Sequence, residues 1–122
     1  MAKRLLVVSQ SPSLQKLISS QFEETEVELD FIGAVADILE YADTHQPALI
    51  VYDQINELRE DAARINLLRG HDNLREVPTI FISETLAWLY RFQLLRPKDE
   101  FVIRYSESKL LADKIREVVS GC

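Results

Sequence analysis

Polar or charged side chains follow four short apolar runs in this sequence of 122 residues. The clearest case is Asp53, a carboxylate that abruptly ends the apolar run 48–52. The side chains that follow the other three runs are Ser9 and Gln10, Ser83 and Glu84, and Arg104. Oxygen ligands, usually including a carboxylate, are what Mg²⁺ prefers, and a guanidinium can pair with a carboxylate through two parallel hydrogen bonds. A polar pocket around Asp53 is therefore conceivable if the fold brings these side chains together.

The hydrophobic pattern predicts five strands that alternate with five helices. Apolar runs between polar or turn residues predict the strands, at 5–8, 27–31, 48–52, 77–82 and 101–103. Apolar residues at helical spacing predict the helices, at 12–24, 34–42, 62–70, 85–95 and from 106 onward. The run 48–52 is apolar throughout, which predicts burial on both faces, whereas 27–31 alternates and predicts a half-exposed edge strand. Alternating strands and helices favour one α/β domain with a parallel sheet covered on both faces.

This architecture predicts where the polar side chains lie. In open parallel sheets, sites form beyond the carboxyl ends of the strands, where the strand order switches. The residues that follow the predicted first, third, fourth and fifth strands would therefore converge on one place. Asp53 could alternatively be a solvated turn residue, but convergence from four strands favours a common pocket.

Composition narrows the classes of function. A net charge of −6 argues against nucleic-acid binding, which needs a basic patch. No apolar run approaches the roughly 20 residues that span a bilayer. The apolar run near the start, residues 5–8, is too short for the apolar region of a signal peptide. One cysteine fits a reducing, cytoplasmic location, and two histidines far apart in sequence show no metal-binding spacing. We interpret residues 1–122 as a single domain, which could be the N-terminal domain of a longer protein.

Four segments together resemble the CheY-like receiver domain of bacterial response regulators, over essentially the whole chain. The segments are LVVSQSP at 6–12, ALIVYD at 48–53, VPTIFIS at 77–83 and FVIR at 101–104. Their order and spacing carry the resemblance, since no segment is specific alone. The resemblance implies a flavodoxin-like (βα)5 three-layer sandwich with a five-stranded parallel sheet in the order 2-1-3-4-5.

The resemblance also implies roles for individual residues. In receiver domains an aspartate after the third strand accepts a phosphoryl group from a histidine kinase, and Asp53 falls on that position. Ser83 matches the serine or threonine that follows the fourth strand, and Phe101 matches the switch aromatic of the fifth strand. The alternatives are purely structural: Ser83 only caps a helix, and Phe101 is a core residue without a switch role.

Several positions depart from the receiver pattern. The two acidic residues that would hold Mg²⁺ with the phosphoacceptor are replaced by Ser9 and Gln10. The lysine of the fifth strand is replaced by Arg104, the small residue after Ser83 by Glu84, and a proline after the phosphoacceptor by Glu57. The resemblance is therefore to an atypical or degenerate member, a pseudo-receiver.

These departures change the expected chemistry. Phosphoryl transfer to a carboxylate brings negative groups together, and a divalent cation normally offsets their repulsion. With Asp53 as the main carboxylate ligand, Mg²⁺ should bind weakly, so we expect no metal and no cofactor unless Asp53 is phosphorylated after all. Arg104 could instead pair with Asp53 or Glu84 and hold the pocket in one state, although it could equally point to solvent.

The predicted helix at 85–95 is apolar almost all round, which indicates contacts on more than one side. We predict a partner surface there, made by Trp88, Tyr90, Phe92 and Leu95. In receiver domains the fourth helix, fifth strand and fifth helix commonly form the output or dimer face. The alternative is that this apolar stripe belongs to the core.

These residues allow three alternative functions for the chain. The first is a degenerate receiver that binds a signalling protein, or a second copy, without phosphorylation and without being an enzyme. The second is a true phosphoacceptor receiver that a histidine kinase phosphorylates at Asp53. The third, a flavodoxin-like cofactor binder, lacks support because the chain has only three glycines and no glycine-rich phosphate loop.

Overall fold

The computed structural model describes residues 3–22, 27–33, 35–53, 58–82, 100–102 and 108–121. Five strands and four helices lie within these ranges. The strands are β1 (Lys3–Val8), β2 (Val27–Ile32), β3 (Leu49–Asp53), β4 (Thr79–Ile82) and β5 (Glu100–Val102). The helices are α1 (Pro12–Phe22), α2 (Val35–Thr44), α3 (Leu58–Gly70) and α4 (Ser108–Gly121). The predicted helix at 85–95 lies outside the described residues, and α4 corresponds to the last predicted helix.

The five strands form one sheet in the order β2-β1-β3-β4-β5, and every neighbouring pair is parallel. The order that the resemblance implied is therefore confirmed for the strands. Because β1 lies between β2 and β3, the strand order switches direction beside β1 and β3. Their carboxyl ends are consequently the place where a site is expected.

Alternate residues of the strands enter two separate cores, one on each face of the sheet. Leu6 and Val8 pack into the core that α2 and α3 cover, whereas Leu5 and Val7 pack into the core that α1 and α4 cover. All five residues of β3 are buried, as predicted for a strand covered on both faces. Sheet and helices thus form three layers.

The element boundaries differ from prediction by up to four residues. The largest difference is at helix α3, which begins at Leu58 rather than at residue 62. Strand β4 begins at Thr79 rather than at Val77, and Val77 is nevertheless buried just before the strand. Serine followed by proline is a sequence pattern that predicts a helix start, and the Ser11 hydroxyl does cap α1, since it accepts the backbone N–H of Leu14 at 3.3 Å.

A polar cluster fastens the end of α2 to the edge of the sheet. The Tyr41 hydroxyl donates to Asp30 Oδ2 at 3.0 Å, and Arg4 Nη1 donates to both Asp30 carboxylate oxygens at 3.1 and 2.9 Å. Arg4 also pairs with Glu28 on β2. Burial, together with the bond to Asp30, raises the pKa of the Tyr41 hydroxyl well above its usual range, so this bond persists throughout neutral pH.

Within the described residues, no helix is long and apolar enough to cross a membrane.

Candidate functional site

Ser9 and Asp53 lie side by side at the carboxyl ends of β1 and β3. The register of these neighbouring strands pairs Val8 with Tyr52, so the residue after each is brought to the same level. Both side chains are inaccessible to solvent, since Ser9 is 1% exposed and Asp53 is 5% exposed. The Ser9 hydroxyl donates a hydrogen bond of 2.8 Å to Asp53 Oδ2. The carboxylate at the predicted phosphoacceptor position is therefore bonded to the residue that stands at an acidic position in receiver domains.

Ser9 also connects this carboxylate to two other parts of the fold. Its hydroxyl oxygen accepts the backbone N–H of Ser11 at 3.0 Å, just before the first turn of α1. Its own backbone N–H donates to the carbonyl oxygen of Ile32, at the end of β2, at 3.0 Å. The single hydroxyl hydrogen of Ser9 is used by Asp53, so the same oxygen can only accept from Ser11. Ser9 thus joins the ends of three neighbouring strands and the start of a helix.

Gln10 is exposed and holds two loops together at the rim of the site. Its side-chain Nε2 donates to the carbonyl oxygen of Gly33 at 3.2 Å, which ties the loop after β1 to the loop after β2. The two loops are in contact, since a Cβ added to Gly33 would make ordinary van der Waals contacts with the Ser9 carbonyl oxygen at 3.4 Å and Gln10 Cγ at 3.5 Å.

The described residues of this pocket do not fit the Mg²⁺ ion that the resemblance implies. Mg²⁺ sites are built from oxygen ligands that include carboxylates. Asp53 contributes one carboxylate, and its Oδ2 already accepts the Ser9 hydroxyl. No group of three or more histidine, cysteine, aspartate or glutamate residues suited to a metal ion occurs among the described residues. Ser9 therefore adds a hydrogen-bond donor beside Oδ2 rather than a second anionic ligand.

The other predicted site residues are described only in part. Phe101 lies in β5, where its backbone is paired in register with Phe81 of β4. Ser83 and Arg104 lie outside the described residues, and so do the predicted partner residues Trp88, Tyr90, Phe92 and Leu95. The predicted pairing of Arg104 with Asp53 or Glu84 therefore remains a prediction.

Sequence reasoning identified the positions of Ser9 and Gln10 but missed what these side chains do. It treated both residues only as replacements of acidic residues. In the structure Ser9 donates a hydrogen bond to Asp53, and Gln10 forms a hydrogen bond that joins two loops. One signal was available, because a serine that directly follows a buried strand must find partners for its hydroxyl. The identity of those partners depends on which strands are neighbours, and that is a property of the sheet order.

Comparison with known proteins supports the fold. No family model matches the sequence, and no curated protein matches it. Solved structures do match: a signal receiver domain of a signal transduction histidine kinase from Syntrophus aciditrophicus is 22% identical, with a TM-score of 0.75 over 98% of this chain and 92% of that one. The receiver domain of Francisella response regulator 1452 is 15% identical, with a TM-score of 0.73 over 95% of each chain.

A third similar structure is the Mn²⁺-bound form of response regulator Rcp1, at 15% identity and a TM-score of 0.68 over 94% of this chain and 92% of that one. Identities this low establish shared architecture rather than shared chemistry. The sheet order, the three layers and these structures together show that the chain has the flavodoxin-like fold of response-regulator receiver domains.

Proposed function

We propose that this chain is a pseudo-receiver, a signalling module of the two-component type that works through protein contacts without phosphorylation of Asp53. The observation that carries this proposal is the 2.8 Å hydrogen bond between the buried Ser9 hydroxyl and Asp53 Oδ2. The Ser9 hydroxyl gives the Asp53 carboxylate a neutral hydrogen-bond partner at a position where receiver domains have an acidic ligand for a divalent cation. The chain would then be a binding module in the cytoplasm rather than an enzyme.

The physical basis is the balance of charge at Asp53. An incoming phosphoryl group is negative, and a carboxylate attacks it readily only where cations offset the repulsion. Ser9 supplies a dipole rather than a positive charge, and Gln10 supplies a neutral amide that is bonded to Gly33. The described part of the pocket therefore stabilises an ionised Asp53 at rest but offers little to a phosphorylated one.

The alternative function is a true phosphoacceptor receiver, phosphorylated at Asp53 by a histidine kinase. The position of Asp53 at the carboxyl end of β3 favours it, because this is where the fold places sites. The similar response regulator Rcp1 binds Mn²⁺ in its structure, so divalent cations must be tested directly. Binding of Mg²⁺ or Mn²⁺ to the wild-type chain would revive this alternative.

We expect the backbone amide signals of Ser9, Ser11 and Asp53 to stay unchanged when Mg²⁺ and beryllofluoride are added. The reason is that the phosphoryl analogue needs a cation beside Asp53, and the Ser9 hydroxyl is bonded there instead. Two-dimensional ¹H–¹⁵N spectra would measure the shifts, with a receiver domain that has both acidic residues as the positive control. Shifts centred on Asp53 at millimolar Mg²⁺ would contradict the proposal.

The partner surface remains a proposal from the sequence. We propose that a signalling protein, or a second copy of the chain, binds at the predicted helix 85–95, the fifth strand and the last helix. Trp88 and Phe92 stand at helical spacing there, and exposed aromatic side chains often dominate binding energy.

Trp88→Ala or Phe92→Ala should weaken self-association or partner binding by about tenfold or more, because truncation of a hot-spot aromatic typically costs about 2 kcal/mol or more. Analytical ultracentrifugation would measure self-association, and titration calorimetry would measure the affinity for the cognate kinase or output protein. Circular dichroism provides the control for folding. A variant that fails to fold would place the aromatic stripe in the core and contradict the surface.

A further inference from the structure

The two histidines of the chain both lie at the carboxyl end of α2, although they are 26 positions apart in sequence. His45 directly follows the helix, and its ring stacks on Tyr41 with the centroids 4.8 Å apart. His71 begins the turn between α3 and β4, and its Nε2 lies 3.1 Å from Asp43 Oδ1 near the end of α2. The two rings differ in the partners of their nitrogens.

The contacts of His71 use both ring nitrogens. Nε2 faces the carboxylate of Asp43, which can only accept, so Nε2 carries the hydrogen. Nδ1 accepts the backbone N–H of Asn73 at 3.1 Å, so Nδ1 carries none. A proton that adds to His71 must therefore enter at Nδ1, where it would face the N–H of Asn73. Two donors cannot share this contact, and the bond must break.

His45 differs because the partner of its ring nitrogen is a hydroxyl. Nδ1 of His45 lies 2.8 Å from the Thr44 hydroxyl oxygen, which can either donate or accept. When His45 is protonated, Nδ1 donates to that oxygen and the Thr44 hydrogen can turn to the carbonyl oxygen of Tyr41, 3.3 Å away. The contact between His45 and Thr44 therefore survives protonation. The chain thus contains its own control histidine at the same end of the same helix.

Loss of the bond between His71 and Asn73 would affect more than the turn, because Asn73 also contacts α2. Its side-chain Nδ2 donates to the carbonyl oxygen of Ala42 in α2 at 2.7 Å. The next residue, Leu74, is fully buried in the core beneath α2 and α3. The bond from Asn73 to His71 therefore orients the residue that joins this turn to α2 and places Leu74 in the core.

We propose that His71 is a proton-responsive clamp between the α3–β4 turn and α2. In its neutral form it holds the backbone of its own turn through Asn73, and in its protonated form it gives up that bond for a stronger pair with Asp43. The other charged groups of these two segments are Asp37 and Glu40 on α2 and Asp72, Arg75 and Glu76 on the turn. Asp72 already pairs with Arg75 at 2.9 Å.

NMR on the wild-type chain tests this clamp directly. Long-range ¹H–¹⁵N correlation at pH 8 should show the hydrogen of His71 on Nε2. Between pH 8 and pH 5, the range in which histidines titrate, the exchange protection factor of the Asn73 amide should fall by about fivefold, as expected for the loss of one hydrogen bond. Amides around His45 should keep their protection.

His71→Asn is the matched variant, because an asparagine side chain can accept the N–H two residues later and does not titrate. Its Asn73 amide should keep the same protection at pH 8 and pH 5. A hydrogen on Nδ1 of His71 at pH 8, or an equal loss of Asn73 protection in His71→Asn, would overturn the proposal.

Discussion

Ser9→Asp should destabilise the domain by about 3 to 5 kcal/mol at pH 7 and make its stability depend on Mg²⁺. Replacing a hydroxyl donor with a second carboxylate puts two like charges at a site where Ser9 and Asp53 are 1% and 5% exposed, and an uncompensated buried charge costs about this much. A divalent cation at about one hundred times its Kd would return about 2.7 kcal/mol. Urea unfolding with and without Mg²⁺ would measure both effects.

The pH dependence of this variant has a defined sign. Like charges raise the pKa of one carboxyl in such a pair, so protonation relieves the repulsion as the pH falls. Without Mg²⁺, the loss of stability relative to wild type should therefore be smaller at pH 5 than at pH 7. A loss that grows at lower pH would show that repulsion between carboxylates is not its cause.

Ser9→Ala is the matched control for the charge. It removes the hydroxyl bond of 2.8 Å to Asp53 and should cost about 1 to 3 kcal/mol. Its stability should not respond to Mg²⁺, because it adds no ligand. If Ser9→Ala were as stable as wild type, the hydroxyl bond would contribute nothing. If wild type responded to Mg²⁺ as Ser9→Asp does, the pocket would already be a cation site.

Leu74→Ala should lower the free energy of unfolding by about 2 to 5 kcal/mol, as expected when a large side chain leaves a cavity in a packed core. Leu74 is completely buried although it lies in a turn between charged residues. It packs in the same core as Ile65 and Leu68 of α3 and Ile38 of α2. Urea unfolding monitored by circular dichroism would measure the loss.

The control for this substitution is Leu39→Ala. Leu39 lies on α2 and is 42% exposed, so the same chemical change should alter stability by no more than about 0.5 kcal/mol. Equal losses in the two variants would contradict the difference in burial. A small loss in Leu74→Ala alone would indicate that the turn relaxes into the space left by the side chain.

Leu74 illustrates where sequence reasoning failed in the fold. Residues 71–76 lie between the predicted helix 62–70 and the predicted strand 77–82, and the one leucine among them lacks the neighbours at helical or strand spacing that indicate burial. The turn places Leu74 in the core through the bonds of its backbone to His71, where the carbonyl oxygen accepts the Leu74 N–H at 3.0 Å. Periodicity cannot detect a single residue that is buried by the path of a turn.

The pattern of apolar residues was sufficient for the alternating architecture and for Asp53 at the end of a buried strand. The reason is that burial on one face imposes a period on the sequence, as in α1 and the edge strand β2, whereas burial on both faces imposes a continuous apolar run, as in β3. The resemblance then supplied the sheet order, which strand periodicity does not contain. Ser11 and Pro12 were also predictable, because helix caps are local.

The contacts of individual polar groups were decided only by the tertiary structure. Ser9 and Asp53 are 44 residues apart, and their hydrogen bond exists because β1 and β3 are neighbours in register. His71 and Asp43 are brought together in the same way by the packing of the turn against α2. Hydrogen bonds depend on distance and angle within fractions of an ångström, whereas sequence patterns specify only which face is buried. Asp53 was therefore predictable as a position, but the hydroxyl that holds it was not.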